Sequence, residues 1–562
     1  MIGVESTDWS AAPVPEQASN LEQEGHPPWL ARLLARRGVT DGAGAASFLA
    51  PAEDQLHDPA GLEGMDEAVA RLRKALDRGE RVAIVGDYDV DGVAATAILT
   101  AVFSASGLEN IAILPHRLRE GYGFQPVHVE RAQEKGCSVI VTADCGTTAH
   151  EAVAAAKDSG VDVVVTDHHL PERPLPEETI EINPHRDSCS YPFTDLSGAG
   201  LAFKLAVAFA HAVEQQVPLK SLLRMAALGT ICDLVPLIGE NRVIAALGLA
   251  ALPETHSAGL QALIQRAGIR PPFMAADVGF RIGPRINAAG RLDDPQPALD
   301  LLLTRDRERA WELANHLEEL NRKRQAAEAR IMDDARELLV GRSPLPSILL
   351  AWSPDWERGV VGVAAGRLAR ELSRPTVLLS VDGEQATGSG RSLPGIELHR
   401  FLEPWRSQLV RFGGHSQAVG LTAPTDRLEV LQQEWEEKAA ATWEPELFRR
   451  RFEYELDLEP AALNAELLAG LDRLEPFGIG NQQPLIRVGP LSLDGSPRLF
   501  GRGHLAARSV SPDGAVVELL GWGWQERLQD LQGRFEALGS LEADRYRQTP
   551  VLRLKDSRPF AR

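Results

Sequence analysis

The chain has 562 residues, 44% of them hydrophobic and 25% charged, which is typical of a folded protein of several domains and excludes a fibrous or disordered one. Its net charge of −20 excludes a uniformly basic surface for nucleic acid, so phosphate contacts would need local clusters of basic residues. The four cysteines lack the paired spacing of a disulfide framework or a thiolate zinc site. Because Glu5 and Asp8 stand where a signal peptide has basic and apolar residues, we expect a cytoplasmic protein without a membrane segment.

In chain order, the pattern predicts a loose polar tail (1–25), helices from Trp29, short apolar strands alternating with helices (81–184), two helices (201–213 and 219–230), a charged helical segment (305–340), a second α/β segment (347–442) and short strands separated by glycine and proline (from 452). The alternation over 81–184 favours a parallel sheet wound with helices. The charge-dense segment favours one or two long helices that bridge domains. The last segment favours a small β-barrel.

Acidic and histidine residues directly follow four of the apolar runs. They are Asp87, Asp89 and Asp91 after the strand at 81–85, Asp144 after the strand at 139–143, Asp167, His168 and His169 after the strand at 163–166, and Asp233 after a helical run. The carboxyl ends of parallel strands lie at one edge of a sheet, so the first three groups are expected to converge in one crevice. Carboxylates brought together raise one another's pKa values unless cations neutralise them. The sequence therefore predicts a metal site.

Oxygen ligands mixed with imidazole favour Mn²⁺ or Mg²⁺, and the same ligands also permit octahedral Zn²⁺ or Co²⁺. Four or more carboxylates carry enough charge for two ions about 3.5–4 Å apart, an arrangement that hydrolyses phosphodiesters. A calcium loop also begins Asp-Xaa-Asp-Xaa-Asp-Gly, but its twelfth position, where a bidentate Glu is needed, is Ile98. Asp144-Cys145-Gly146 alone would favour an ordinary turn, so the prediction depends on all four groups together.

The order of Gly-Asp-Tyr-Asp-Val-Asp-Gly (86–92), Asp-Cys-Gly (144–146), Asp-His-His (167–169) and Asp233 resembles the DHH phosphoesterase superfamily. Five further segments, in order, look like those of the RecJ exonuclease family: Pro-His-Arg-Leu-Arg-Glu-Gly-Tyr-Gly (115–123), Leu-Ser-Gly-Ala-Gly-Leu-Ala-Phe-Lys (196–204), Arg-Ile-Gly-Pro-Arg-Ile-Asn-Ala-Ala-Gly-Arg (281–291), Gly-Ser-Gly-Arg-Ser (388–392) and Gly-Gly-His-Ser-Gln-Ala-Val-Gly (413–420). The resemblance extends from about residue 30 to the end of the chain.

The resemblance implies a multidomain α/β architecture. Its expected parts are the loose tail (1–25), a parallel-sheet DHH catalytic domain with N-terminal helices (26–250), a phosphate-contacting segment and long connecting helix (251–344), a DHH-associated α/β domain, DHHA1 (345–445), and a C-terminal OB-fold barrel that binds nucleic acid (450–562).

The function that the resemblance implies is 5′→3′ exonuclease activity on single-stranded DNA, by two-metal catalysis that releases 5′ mononucleotides, in DNA repair and recombination. One ion would be held by Asp87, Asp89 and Asp144, and the other by Asp91, Asp144, His168 and Asp233. Asp144 would bridge the ions, and His169 would assist at the scissile phosphate. The expected partner is single-stranded DNA with a 5′ end. A helicase and a single-strand-binding protein are candidate partners, and a monomer is expected.

Arginines between glycines provide two candidate phosphate-binding sites, since the planar guanidinium group matches the geometry of phosphate oxygens. Arg281, Arg285 and Arg291 lie in one segment without acids, and Ser389 and Arg391 lie in the other. The resemblance implies that the second segment recognises the terminal 5′ phosphate. We expect phosphate contacts from five residues: Arg285, Arg291, Ser389, Arg391 and His415. The alternatives are structural salt bridges, above all for Arg281, and a packing role for His415.

Several aromatic residues could stack on unpaired bases, but aromatic side chains in a barrel are more often core, so none is assigned. They are Trp352, Trp356, Phe477, Phe500, Trp522 and Trp524. Two rival functions stay open. One is a phosphoesterase of the same superfamily acting on short oligonucleotides, cyclic dinucleotides or pyrophosphate, which would not need the barrel. The other is a metal-free replication scaffold, which would be expected to lack the ligands present here.

Overall fold

The computed structural model describes residues 7–117, 119–121, 123–171, 173–176, 179–340, 344–501, 503–544 and 547–560. Residues 1–6 of the expected tail lie outside the described residues, as do Leu118 and Tyr122 of the segment 115–123.

The N-terminal segment forms one strand and three helices: β1 (Asp8–Ala11), α1 (Ala18–Gln23), α2 (Pro28–Arg36) and α3 (Gly42–Leu49). Strand β1 pairs in parallel with residues 451–454, and Trp9 Nε1 donates to the Asp556 carboxylate at 2.7 Å. The helices share a hydrophobic core with the C-terminal barrel domain, where Leu33 and Leu34 are buried against Leu468 and its neighbours. The prediction of a loose tail is therefore wrong for residues 8–23, and the helices expected with the catalytic domain share their core with the barrel, because their partners lie at the far end of the chain.

The first α/β domain contains α4 (Met65–Arg78), β2 (Arg81–Gly86), α5 (Val90–Ala105), β3 (Asn110–Ile113), α6 (Pro126–Glu134), β4 (Cys137–Ala143), α7 (His150–Asp158), β5 (Asp162–Thr166), β6 (Ile180–Ile182), α8 (Gly198–Ala212), α9 (Leu219–Cys232) and α10 (Gly239–Ala251). The five strands form a parallel sheet of order β3-β2-β4-β5-β6. Helix α5 is apolar on nearly all sides because the sheet covers one face and α8 and α9 cover another. This burial fixes the start of α5 against the ends of the strands.

The connecting segment contains α11 (Ala258–Ala267), α12 (Ala275–Asp277), a π-helical turn (Val278–Ile282), α13 (Gly283–Leu292), α14 (Gln296–Leu303) and α15 (Arg307–Glu337). Asp306 caps α15 by accepting from the Arg309 backbone N–H. The 31 residues of α15 extend over about 46 Å. Its first half packs in the core of the first α/β domain and its second half in the core of the next domain, so α15 joins the two.

The second α/β domain contains β7 (Leu349–Ser353), α16 (Val361–Leu372), β8 (Thr376–Asp382), β9 (Gln385–Arg391), α17 (Leu398–Leu402), β10 (Arg411–His415), β11 (Ala418–Pro424) and α18 (Leu428–Thr442). Its sheet has the order β10-β11-β9-β8-β7, with only β7 and β8 parallel.

The barrel domain contains β12 (Arg451–Tyr454), β13 (Leu456–Leu458), α19 (Ala465–Asp472), β14 (Ile486–Leu493), β15 (Arg498–Phe500), β16 (His504–Val510), β17 (Val516–Gly521), β18 (Phe535–Ala543) and β19 (Pro550–Pro559). The strands β14, β18, β19, β17 and β16 follow one another, and β16 pairs back onto β14, which closes a five-stranded barrel. The expected multidomain α/β class, with a parallel sheet, a long connecting helix, a second α/β domain and a C-terminal barrel, is confirmed.

Within the described residues, no single helix has both the length and the apolar content to cross a membrane; one bent pair, Gly239–Glu254 with Ala258–Ala267, satisfies these criteria when taken together.

Candidate metal centre and phosphate-binding surface

The predicted carboxylates and histidines lie at the carboxyl edge of the first sheet. Asp87 follows β2, Asp144 follows β4, Asp167 follows β5, and Asp233 follows α9. Three overlapping groups have ligand atoms within 4.8 Å of one another. They are Asp87, Asp89 and Asp144; Asp91, His168 and Asp233; and Asp144, His168 and His169. The structure therefore brings together in one crevice the groups singled out in the sequence.

His168 lies at the centre of the cluster. Its Nε2 atom is 3.1 Å from Asp144 Oδ1, 3.6 Å from Asp233 Oδ2 and 3.9 Å from Asp91 Oδ2. His168 Nε2 and Asp144 Oδ1 are buried and lack a hydrogen-bond partner among the described residues. Burial, followed by the charge of His169, lowers the pKa of His168 to about 4, so the ring is neutral near pH 7 and has a lone pair for a cation.

The backbone fixes the carboxylates of Asp89 and Asp91 at the start of two helices. Asp89 caps α5, because its Oδ1 accepts from the N–H groups of Asp91 and Gly92. Asp91, only 1% exposed, accepts from Gly198 N at 2.7 Å and Ala199 N at 2.9 Å, in the first turn of α8. The segment 196–204 thus orients a buried carboxylate.

Burial is the largest influence on four of the carboxylates and raises their pKa values. Repulsion by neighbouring carboxylates raises them further. The pKa of Asp87 rises to about 7 and that of Asp233 to about 6, and those of Asp91 and Asp144 are also raised. Removal of several carboxylates from water without a counter-charge is unfavourable, and a divalent cation among them relieves both effects.

His169 has a different environment from His168. Its Nδ1 atom lies 2.7 Å from Asp167 Oδ1, and this hydrogen bond raises the pKa of His169 to about 9. Burial acts to raise the pKa of Asp167, but the hydrogen bond and charge of His169 outweigh it and lower that pKa to about 2. Asp167 also accepts from the backbone N–H of Thr147 at 2.9 Å. His169 is therefore a cation held in place, suited to donate a hydrogen bond or proton to an anionic substrate.

These residues fit two divalent ions. One group offers only carboxylate oxygens, the other offers carboxylates with a neutral imidazole, and Asp144 lies where the groups meet. Oxygen ligands with one imidazole suit Mn²⁺ or Mg²⁺. Asp144 Oδ1 and His168 Nε2, which lack hydrogen-bond partners in the described part of the chain, are atoms that such ions would satisfy.

Three arginines meet beside the metal centre, around the Tyr88 side chain. Arg117 lies over the Tyr88 ring at 4.9 Å, and its Nη1 is buried without a hydrogen-bond partner. Burial first, and then the charge of Arg117, lowers the pKa values of Arg291 and Arg391. Within the described part of the chain, none of the three has an ion-pair partner. This arginine cluster (Arg117, Arg291, Arg391) therefore has the positive charge and the geometry to receive an anion.

The start of α16 borders the arginine cluster. A Cβ atom at Gly362, in the first turn of α16, would lie 3.1 Å from Ser389 Oγ and 3.5 Å from Arg391 Nη2, so both side chains lie against this turn. The helix dipole favours a negative charge at this N-terminus, although three backbone N–H groups of this turn already donate to carbonyls within the chain. Ser389 and Arg391 thus have the surroundings of a phosphate site.

His415 lies in the same row of the second sheet as Arg391. Ala418 pairs with Arg391 on one side and His415 on the other, so the three residues share one face. On the same face, Gly420 pairs with Ser389 and Gly413, and a Cβ atom on either glycine would meet nothing within 4 Å. The face is an open trough beside Arg391, and His415 is exposed in it.

Arg285, expected to contact phosphate, is instead in a structural ion pair. Its Nε donates to Glu318 at 2.7 Å, and Nη1 donates to the carbonyl of Arg281. Arg281 donates to the carbonyls of Ala267 and Gly268. The expectation for Arg285 was wrong because α13 packs along α15, which places Glu318 opposite Arg285. The segment 281–291 alone does not show which helix will pack against it.

Arg117 and Asp167 are the residues whose roles were missed from the sequence. Arg117 lies in the segment 115–123, and the feature of the sequence that could have indicated it is an arginine in the loop after strand β3.

Among the aromatic candidates, Trp356 and Trp524 are core residues, whereas Trp522 is 54% exposed and contacts Phe500 and His504.

Comparison with protein families identifies three domains. The N-terminal domain of the DHH family matches residues 81–230, the DHHA1 domain matches 345–441, and the RecJ OB domain matches 454–556. The families correspond to the first α/β domain, the second α/β domain and the barrel.

Relatives and solved structures with similarity over most of the chain are also known. The single-stranded-DNA-specific exonuclease RecJ of Bacillus subtilis is 32% identical over 97% of this chain and 70% of its own length. The Escherichia coli protein of the same name is 34% identical over 88% of each chain. The crystal structure of RecJ from Thermus thermophilus with Mn²⁺ superposes with a TM-score of 0.82 and 30% identity, over 99% of this chain and 80% of that one. With three matching domains in order and this identity, the chain belongs to the RecJ family of single-stranded-DNA-specific exonucleases.

Proposed function

We propose that this chain is a 5′→3′ exonuclease that hydrolyses single-stranded DNA to 5′ mononucleotides and acts in DNA repair and recombination. The observation that carries the proposal is the position of the arginine cluster directly beside the metal centre. Tyr88, against which Arg117 lies, stands between Asp87 and Asp89. A terminal phosphate at the arginines would therefore place the next phosphodiester over the carboxylates.

Two divalent ions, Mn²⁺ or Mg²⁺, would supply an activated water on one side of the phosphorus and stabilise the leaving oxygen on the other. Asp87, Asp89 and Asp144 are the proposed ligands of one ion, and Asp91, Asp144, His168 and Asp233 those of the other. Protonated His169, held by Asp167, would donate a hydrogen bond to a non-bridging oxygen of the scissile phosphate.

The polarity of the reaction follows from the chemistry of the two ends. The arginine cluster has three positive charges, the Ser389 hydroxyl and the first turn of α16 for one phosphate. A terminal 5′ phosphomonoester carries more charge than an internal diester and fits this concentration of donors. Arg391, Arg291 and Ser389 are the proposed contacts with it, and His415 is the proposed contact farther along the trough.

The barrel domain supports a polymer as the substrate. Barrels of this class bind extended single strands, which a phosphoesterase for dinucleotides or pyrophosphate would not require. A helicase that exposes single strands and a single-strand-binding protein are proposed partners of a monomeric enzyme in the cytoplasm.

Digestion of a long single strand labelled at either its 5′ or its 3′ end tests this function. With Mn²⁺ or Mg²⁺ we expect early release of the 5′ label as a mononucleotide, no early release of the 3′ label, and no reaction with chelator or on blunt duplex. Early release of the 3′ label would overturn the polarity. Hydrolysis of short nucleotides alone would assign the chain to the small-substrate rival.

A further inference from the structure

An exposed apolar rim is formed by segments that adjoin the metal ligands. It consists of Leu170, Leu234, Phe280 and Ile479, which are 73%, 66%, 83% and 47% exposed. Phe280 is the most exposed large hydrophobic residue among those the structure describes. Such exposure is unfavourable in water, so four of these residues around one crevice need an explanation.

Leu170 and Leu234 are brought to the rim by the metal centre itself. Leu170 is two residues beyond His168, and Leu234 directly follows Asp233, and these two ligand groups are 3.6 Å apart. Leu234 has a φ of 68°, a left-handed conformation that is strained for a branched side chain. Strain of this kind persists where the surroundings impose it, and it is concentrated at functional sites.

Phe280 is held outward by a π-helical turn. Val278 and Ile282, on either side of it, are fully buried, and Cys232 Sγ lies 3.9 Å from the carbonyl of Val278. The turn therefore packs directly against the end of α9, from which Asp233 and Leu234 follow. Insertions of this kind in helices are frequent at functional sites.

Ile479 extends the rim to the barrel domain. Its carbonyl accepts from the Leu237 backbone N–H at 2.7 Å, three residues beyond Leu234. The rim thus joins the metal centre to the domain that is expected to hold the strand.

We propose that the apolar rim binds the nucleobases of the strand on the 3′ side of the scissile phosphodiester, with Phe280 stacked on one base. The proposal rests on the proposed 5′→3′ exonuclease function. A strand that starts at the arginine cluster and crosses the metals would continue past Asp233, and Leu234 and the turn that carries Phe280 adjoin this ligand. The arginines and the metals meet only its phosphates, so the rim is the part of the crevice that suits the bases.

The same geometry would make the rim selective for single-stranded over duplex DNA. An aromatic ring can stack on the face of an unpaired base, whereas in a duplex those faces are already stacked. Arg291 and Phe280 are eleven residues apart on continuous helix, roughly 16 Å along its axis. This distance is greater than the length of an extended dinucleotide, so a dinucleotide bound at the arginines ends before Phe280.

The test compares wild type with Phe280→Ala on two 5′-phosphorylated substrates, a long single strand and a dinucleotide. On the long strand we expect kcat/KM to fall roughly tenfold, through KM, and Phe280→Trp to restore it. On the dinucleotide we expect no change. Val340→Ala, which removes a side chain that is 79% exposed near the end of α15, is the matched control and should behave as wild type.

An abasic site placed at successive positions locates the base. Wild type should lose affinity when the abasic site reaches the position of Phe280, and Phe280→Ala should lose none there. Binding is measured by fluorescence anisotropy with chelator, so it is independent of hydrolysis. If Phe280→Ala binds the strand more weakly but the wild-type protein is inactive, base binding by the rim is supported and the proposed exonuclease function is overturned. Active wild type with unchanged binding and kcat/KM in Phe280→Ala would overturn the rim alone, as would an equal loss on the dinucleotide.

Discussion

At the residue scale, Asp144 combines two unfavourable properties in one position. Its side chain is almost fully buried among other carboxylates, and its backbone has a φ of 66°, which L-residues other than Asn and Asp rarely adopt. Backbone strain of this kind costs of order 1–3 kcal/mol. A structural turn would not need a buried carboxylate, whereas the proposed role of Asp144 as a ligand shared between two ions would account for both properties.

Asp144→Asn is expected to lower hydrolysis at least ~100-fold, since even partners outside a metal's ligand set account for 10–100-fold. Asparagine tolerates the left-handed backbone, so the fold should be kept and the loss should come from the missing charge. Turnover on single-stranded DNA is the measurement, with thermal unfolding as a check on the fold. Asp426→Asn, at an exposed position of the second α/β domain, is the control. Nearly normal turnover in Asp144→Asn would remove the shared-ligand role.

The stability of the protein should depend on pH and metal together. Because Asp87 and Asp233 have raised pKa values, about 7 and about 6, the folded protein binds protons that the unfolded chain, with pKa values near 3.9, releases. The stability from these groups is present below about pH 4 and is lost as the pH rises to about 7. Mn²⁺ replaces these protons, so its effect on Tm should be larger at about pH 8 than at about pH 6. Melting curves of chelator-treated protein measure it, and a smaller effect at the higher pH would contradict it.

At the scale of single elements, the start of α16 and the end of β9 together form the proposed phosphate site. Arg391→Ala should reduce the preference for 5′-phosphorylated over 5′-hydroxyl ends by about tenfold or more, since hydrogen bonds to charged groups contribute about 1.5–3 kcal/mol. Arg391→Lys should keep part of the preference, because it keeps the charge and loses the planar fork. Rates on the two kinds of end, at one ionic strength, give the ratio. Arg400→Ala, an exposed position on α17, is the control, and an unchanged ratio in Arg391→Ala would contradict the assignment.

Elements with local signals could be predicted from the sequence, and elements with distant partners could not. An apolar run followed by Asp predicted the ends of β2, β4 and β5, because strand direction and burial are written in the run itself. The pairing of β1 with β12, and of Arg285 with Glu318, depends on contacts between segments far apart in the chain. Arg117 was missed because a loop arginine has the same local pattern whether it faces solvent or a substrate.

At the scale of the whole molecule, the site depends on how two domains meet. The arginine cluster takes Arg117 from the first α/β domain, Arg291 from the connecting segment and Arg391 from the second α/β domain. Helix α15 fixes their arrangement by packing in the cores of both α/β domains. The contact is close at Gly359, where an added Cβ atom would lie 1.9 Å from the carbonyl oxygen of Arg291.

Gly359→Ala is therefore expected to displace the second α/β domain from the metal centre. A misplacement of about 1 Å can lower turnover by roughly 10²-fold, so we expect a large loss of kcat/KM with each domain still folded. Kinetics on a long single strand and circular dichroism measure the two effects. Gly366→Ala, in the same domain, would place a Cβ atom at an ordinary 3.6 Å from Arg391 Cγ and is the control. Wild-type kinetics in Gly359→Ala would show that the close contact does not set the geometry of the site.

The most direct test of the metal centre is anomalous diffraction from crystals of this protein soaked in Mn²⁺. We predict two peaks about 3.5–4 Å apart, one among Asp87, Asp89 and Asp144 and the other among Asp91, Asp144, His168 and Asp233. A single peak, or two peaks without Asp144 between them, would contradict the two-ion account.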